Sequence, residues 1–116
     1  MPQDEQHIEA FLKDFKQKKK VYDILFRDDR GKNQQTLLDL EITSRKRKEV
    51  IDSIELRDYI DGPKEESLYK GAEMWVFGKQ VKGRDIYIKI TMGAPCTSVI
   101  CISFHTAERK LTYPFK

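Results

Sequence analysis

The residues whose types and spacing invite chemistry sit late in this chain of 116 residues. Tyr87 and Lys89 alternate along DIYIKI, residues 85–90, and Cys101, Ser103 and His105 alternate along CISFH, residues 101–105. In neighbouring antiparallel strands such alternation places a phenol, an ammonium, a thiol, a hydroxyl and an imidazole on one face. That set suits metal-free cleavage of RNA. A base takes the proton of the ribose 2′-hydroxyl, an acid protonates the departing 5′-oxygen, and fixed positive charge stabilises the phosphorane-like transition state. An imidazole titrates near neutrality, so His105 is the candidate acid or base. Lys89 and Arg84 are candidates for holding the phosphate, and Tyr87 can hydrogen-bond a phosphate oxygen or stack on a base. The same face also suits single-strand binding, for which stacking and charge suffice. It equally reads as an ordinary wet sheet face, where Tyr and Lys are common.

Other chemistries find less support. His7 and His105 are the two histidines, and Cys96 and Cys101 lack CxxC spacing, so no zinc site is expected. There is no phosphate-binding or dinucleotide glycine pattern and no GxSxG elbow, and no cofactor is expected. Cys96, behind Pro95, reads as a small loop residue or as a nucleophile. Asp28-Asp29 and Glu65-Glu66 read as solvated turn carboxylates.

The elements that must position these groups occupy residues 73–105, read as three consecutive strands. A two-residue turn at Lys82-Gly83 sets Gly78 opposite Tyr87 and Val76 opposite Lys89. It also puts Trp75 and Phe77 on the face of Ile86, Ile88 and Ile90. A five-residue loop, GAPCT at 93–97, sets Tyr87 opposite Ser103 and Lys89 opposite Cys101. Ile100, Ile102 and Phe104 then join the apolar face, and Tyr87, Lys89, Cys101, Ser103 and His105 share the other.

Upstream the chain reads as helical. Asp4 can cap a helix to about residue 19 whose stripe is Ile8, Phe11, Leu12 and Phe15. VYDILF, residues 21–26, reads as a short strand or extended link, and RDDRGKN, residues 27–33, as a charged turn. QQTLLDLEI, residues 34–42, reads as a helix buried through Leu37, Leu38 and Leu40. Thr43 or Ser44 starts another helix with Val50, Ile51 and Ile54 inward and RKRK, residues 45–48, on its wet side. Residues 57–72 read as irregular, anchored by Leu68 and Tyr69. The tail, LTYPFK, either packs on the domain or adds an edge strand.

The formal net charge is +3 and charged residues make up 35%, so the distribution of charge matters more than its sum. Lys79, Lys82 and Arg84 cluster at the sheet's turn, with Gln80 among them, and such an edge suits a polyanion. Lysines also protect sheet edges and solubilise helices. No run of 18 apolar residues spans a membrane, and the acidic start MPQDEQHIEAF is read as no secretory signal. Cysteine usage fits a cytoplasmic protein with free thiols.

Taken in order, these features resemble the MqsR-like toxins of bacterial type II toxin–antitoxin modules, within the RelE-like group of mRNA interferases. The resemblance rests on Trp75, Gly83, Tyr87-Ile88-Lys89-Ile90 and Ser103-Phe104-His105, with residues 37–59 resembling the family's helix pair and its acidic-aromatic step. It implies a ribosome-independent endoribonuclease silenced by an antitoxin, commonly one with a zinc-binding segment. It places the family's sheet tyrosine on Tyr87, its strand lysine on Lys89, and its C-terminal basic residue, usually lysine, on His105. Val76 stands where the family has glutamine, with Gln80 as a replacement facing the same side, and Ile60 where it has lysine.

The expectation is a single α+β domain over residues 1–116 in the RelE-like style. Helices over about 4–56 pack on one face of a small antiparallel sheet over 73–105, followed by a tail over 106–116. His105, Lys89 and Tyr87 are the expected catalytic set, and Lys79, Gln80, Lys82 and Arg84 the expected RNA-backbone contacts. mRNA and an antitoxin are the expected partners, with no membrane. A non-catalytic RNA-binding module and a pure protein-interaction domain remain the alternatives.

Overall fold

The computed structural model describes residues 4–27, 31–65 and 73–116. Helix α1 (Glu5–Tyr22) starts where Asp4 accepts the His7 backbone N–H at 3.0 Å. Its buried stripe is Ile8, Phe11, Leu12 and Phe15, at the spacing that one helical face requires. It ends later than residue 19, at Asp23, whose φ is 65° and whose N–H returns to the Lys19 carbonyl at 2.7 Å. There follow β1 (Ile24–Phe26), α2 (Gly31–Leu40), α3 (Ser44–Asp52), a 3-10 turn (Leu56–Asp58), β2 (Tyr59–Glu65), β3 (Glu73–Val81), β4 (Arg84–Thr91) and β5 (Val99–Thr106). Thr43 is the cap of α3, accepting the Lys46 N–H at 3.1 Å.

The strands form one five-stranded sheet in the order β1-β5-β4-β3-β2. Neighbours from β2 to β5 are antiparallel, whereas β1 lies parallel to β5. The expected antiparallel sheet is thus mixed. A parallel partner must arrive by a long crossover, here through everything between β1 and β5, and no local pattern announces that. The stretch 57–72, expected to be irregular, contains β2. Two register shifts against β3 and the Gly62-Pro63 pair break the alternation by which a strand is recognised. Leu68, Tyr69, Asp28-Asp29 and Glu66 lie outside the described residues.

The β3–β4 hairpin turns at Lys82-Gly83 with φ of 51° and 79°, both positive as a type I′ turn requires. It pairs Gly78 with Tyr87 and Val76 with Lys89, as expected. Trp75 and Phe77 therefore face the helices, and the Phe11 ring stacks on Trp75 at 4.5 Å. The β4–β5 register differs from the expected one. Tyr87 pairs with His105 and Lys89 with Ser103, and then Ile90 pairs with Cys101. Ile102 is the extra residue of a bulge, and one extra residue reverses the alternation of everything before it. Val99 and Cys101 consequently join Phe104 in the helix-side core, and Cys101 leaves the polar face. Ile100, expected in the core, pairs with Thr91 and is only half-buried.

Two helical expectations also change. Helix α2 buries Asn33, Thr36 and Leu40, while Leu38 is 72% exposed. It packs against β5, where backbone groups need polar partners, rather than over the apolar face. Within RKRK, Arg47 is buried and its guanidinium lies 3.6 Å from the Phe26 ring centre. No helix among the described residues is long and apolar enough to cross a membrane.

Candidate active site

Tyr87 on β4 and His105 on β5 are direct cross-strand partners, and their rings stack at 5.3 Å with an 18° tilt. Lys89 and Ser103 form the next pair on that face. The stacked rings line a surface cleft of about 370 Å³ completed by Ala107, Glu108, Arg109 and Leu111. His105 also borders a shallow depression reaching Lys32 and Thr36 on α2. The Lys32 ammonium pairs with the Glu108 carboxylate. That hydrogen bond and charge, with smaller help from His105 and Arg109, hold the Glu108 carboxyl below the usual glutamate range. The His105 Nδ1 atom lies 3.1 Å from the Thr106 carbonyl oxygen. A carbonyl only accepts, so this contact favours the tautomer with the proton on Nδ1.

The lysines expected to line an RNA path are occupied elsewhere. Lys82 Nζ donates to the Leu40 carbonyl at 2.8 Å and the Glu41 carbonyl at 3.3 Å, closing the C-terminal end of α2. Lys79 pairs with the Asp58 carboxylate at 3.1 Å on the helix side of the sheet. Arg84 is exposed at the hairpin tip but alternates with Ile86 and Ile88, so it too belongs to the helix side. Gln80, exposed opposite Asp85, is the member of that group on the Tyr87 side. The lysines of α1 behave alike. Lys16 donates to the Ile54 carbonyl at 2.6 Å, Lys18 to the Ala94 carbonyl at 2.7 Å, and Lys19 pairs with Asp52 at 2.9 Å.

The face that carries Tyr87 is open at the cleft and covered farther along. A Cβ on Gly78 would stand 2.5 Å from Tyr113 Oη, 2.8 Å from Leu111 Cδ1 and 2.9 Å from Ile60 Cδ1. The C-terminal segment therefore crosses the sheet where Gly78 makes room, packing on the domain instead of adding a strand. Val76 is buried under this side, and Phe115 reaches the Tyr59 ring at 5.9 Å. Burial pushes the Tyr113 hydroxyl above the ordinary 10.0, and the charges of Asp85 and Asp58 add to it.

The structure thus brings together Tyr87, Lys89, Ser103 and His105, and not Lys79, Lys82 or Arg84. It adds Glu108, Arg109, Leu111 and Lys32. The first two were within reach of sequence reasoning, because the AERK run follows directly on the strand that carries His105. Lys32 is brought in only by the docking of α2. A scan against family models finds no match, and searches of curated proteins and of solved structures likewise find none.

Proposed function

We propose that this chain is an endoribonuclease that cleaves mRNA without a metal, acting as the toxin of a type II toxin–antitoxin pair in the manner of the MqsR-like group. The observation that carries the reading is the stacked Tyr87–His105 pair at the mouth of a cleft that also holds Arg109. A flipped-out base can stack on the ring pair while its phosphate meets the guanidinium. Neutral His105 takes the 2′-hydroxyl proton at Nε2, and the 2′-oxygen attacks the adjacent phosphorus. The imidazolium so formed returns a proton to the departing 5′-oxygen. The products are a 2′,3′-cyclic phosphate and a 5′-hydroxyl, with the proton conserved. Arg109, Lys89 and the Tyr87 hydroxyl stabilise the charge that grows on the phosphoryl oxygens.

Purified protein is expected to cut single-stranded RNA in EDTA and leave those termini. His105→Ala is expected to lower the rate about 10²- to 10⁴-fold. Full cleavage and full growth inhibition by His105→Ala would refute the assignment. A second reading is favoured by Val76 and Ile60, which are apolar where the family is polar, and by the tail lying on Gly78. In that reading the cleft binds a single strand without cutting it, and salt-dependent binding with intact RNA is the outcome that selects it. The antitoxin partner of the first reading is tested by co-purification with the product of the neighbouring reading frame.

A further inference from the structure

Among the described residues, strand β5 has two strand neighbours along part of its length and one along the rest. β4 pairs with it from Thr91 to Ile86, but β1 covers only Val99, Ile100 and Cys101. After the bulge at Ile102, the backbone groups of β5 that point away from β4 would be open. Helix α2 meets them with side chains. Asn33 is 1% exposed. Its Nδ2 donates to the Ile102 carbonyl at 3.0 Å and the Arg27 carbonyl at 2.9 Å, and its Oδ1 accepts the Phe104 N–H at 3.0 Å. One carboxamide thereby does what the next peptide group of β1 would do. One helical turn on, Thr36 is 4% exposed. Its Oγ1 accepts the Thr106 N–H at 3.1 Å and donates to the Lys32 carbonyl at 3.0 Å.

Two of these contacts fall on the N–H groups of Phe104 and Thr106, the residues immediately before and after His105. The structure assigns Asn33 and Thr36 as positioning residues, which hold the Ser103–Phe104 and His105–Thr106 peptide groups on either side of His105 so that its ring stacks on Tyr87 with Nδ1 beside the Thr106 carbonyl. Thr36 is the more direct of the two, since it grips the N–H of the residue whose carbonyl orients the imidazole. Neither residue touches a reacting atom. A purely structural role would make them matter for stability alone. A positioning role makes them matter for the state of one ring.

The catalytic half of this assignment rests on the proposed ribonuclease reading, and the spectroscopic half does not. Thr36→Val keeps the shape and loses the hydroxyl, and Thr36→Ser keeps the hydroxyl. Thr36→Ala is the substitute where the valine chain does not fold. The expected result with Val is faster amide exchange at Thr106 and altered ¹⁵N shifts of the His105 ring nitrogens, both restored by Ser. On RNA, kcat is expected to fall roughly ten- to hundredfold with KM little changed, the size of effect that a misplacement near 1 Å produces. Unchanged His105 ring signals in a folded Val or Ala variant would overturn the assignment. So would unchanged kcat where the wild type cleaves. A wild type that does not cleave, with the ring signals shifting as expected, removes the ribonuclease reading and keeps the positioning.

Discussion

Gly78 offers a direct perturbation of the covered half of the sheet. It sits in ordinary strand backbone, so alanine meets no backbone strain and its smaller loss of chain entropy favours folding by about 0.4–1 kcal/mol. Against that, its Cβ would come within 3 Å of Tyr113 Oη, Leu111 Cδ1 and Ile60 Cδ1. Overpacking of this kind costs about 1–3 kcal/mol when the neighbours cannot move. Here they are side-chain ends, two of them on a segment with neither helix nor strand. The tail should yield before the sheet does, so the cost is bounded by what Leu111 and Tyr113 contribute through half-burial. The net expectation for Gly78→Ala is a loss of about 1 kcal/mol, read as a lower urea midpoint at constant m. In a chain ending at Lys110 only the Ile60 side-chain end remains to yield, so the same substitution should cost clearly less. Faster proteolysis near Leu111 in the full-length variant would locate the change. An equal loss with and without the tail would refute the reasoning, because Gly78 would then be serving the sheet itself.

Two further predictions separate structural charge from charge that meets a ligand. Lys82→Ala should lower stability by about 0.5–1.5 kcal/mol through loss of the bonds to the Leu40 and Glu41 carbonyls, and leave RNA affinity unchanged. Arg109→Ala should do the reverse, weakening RNA binding and reducing the salt slope by about one in a filter-binding titration. The third concerns pH. The folded chain holds the Tyr113 proton more tightly than the unfolded chain, so its contribution is full below the ordinary value of 10.0 and is lost as pH rises through the raised folded value. The urea midpoint should therefore drop above pH 10 more steeply in the wild type than in Tyr113→Phe, and parallel curves would refute it.

What was legible in the sequence were the features written in local periodicity. The α1 stripe, the Thr43 cap, the Lys82-Gly83 turn and its register, and the inward face of Trp75, Phe77 and the isoleucines all follow from spacing and turn chemistry. What was not legible depends on partners distant in sequence. Ile102 looks like any strand residue, yet as a bulge it sends Cys101 into the core and brings His105 opposite Tyr87. Asn33 reads as a turn residue and Thr36 as the wet side of a helix until both are found bonded to the backbone of β5. In the site, the sheet alternation pointed to Tyr87 and His105. The cations around them could not be ranked, because a lysine bound to a carbonyl and a lysine facing solvent have the same sequence.

That ambiguity bears on how an RNA would be held. The basic sheet edge at Lys79, Lys82 and Arg84 suggested a polyanion surface, but many ammonium groups of that edge and of the helices stitch elements together. Lys16, Lys18 and Lys82 bind carbonyls, and Lys19, Lys48 and Lys79 bind carboxylates. Beside the stacked rings, Lys32 is already paired with Glu108, and Arg109 is the cation in the lining of the cleft itself. An RNA held at this cleft would draw much of its affinity from stacking, at about 1–3 kcal/mol per base. A shallow salt slope together with a large loss on Tyr87→Ala is what this arrangement dictates. A steep slope would mean that the strand runs over the lysine-rich helices, away from His105.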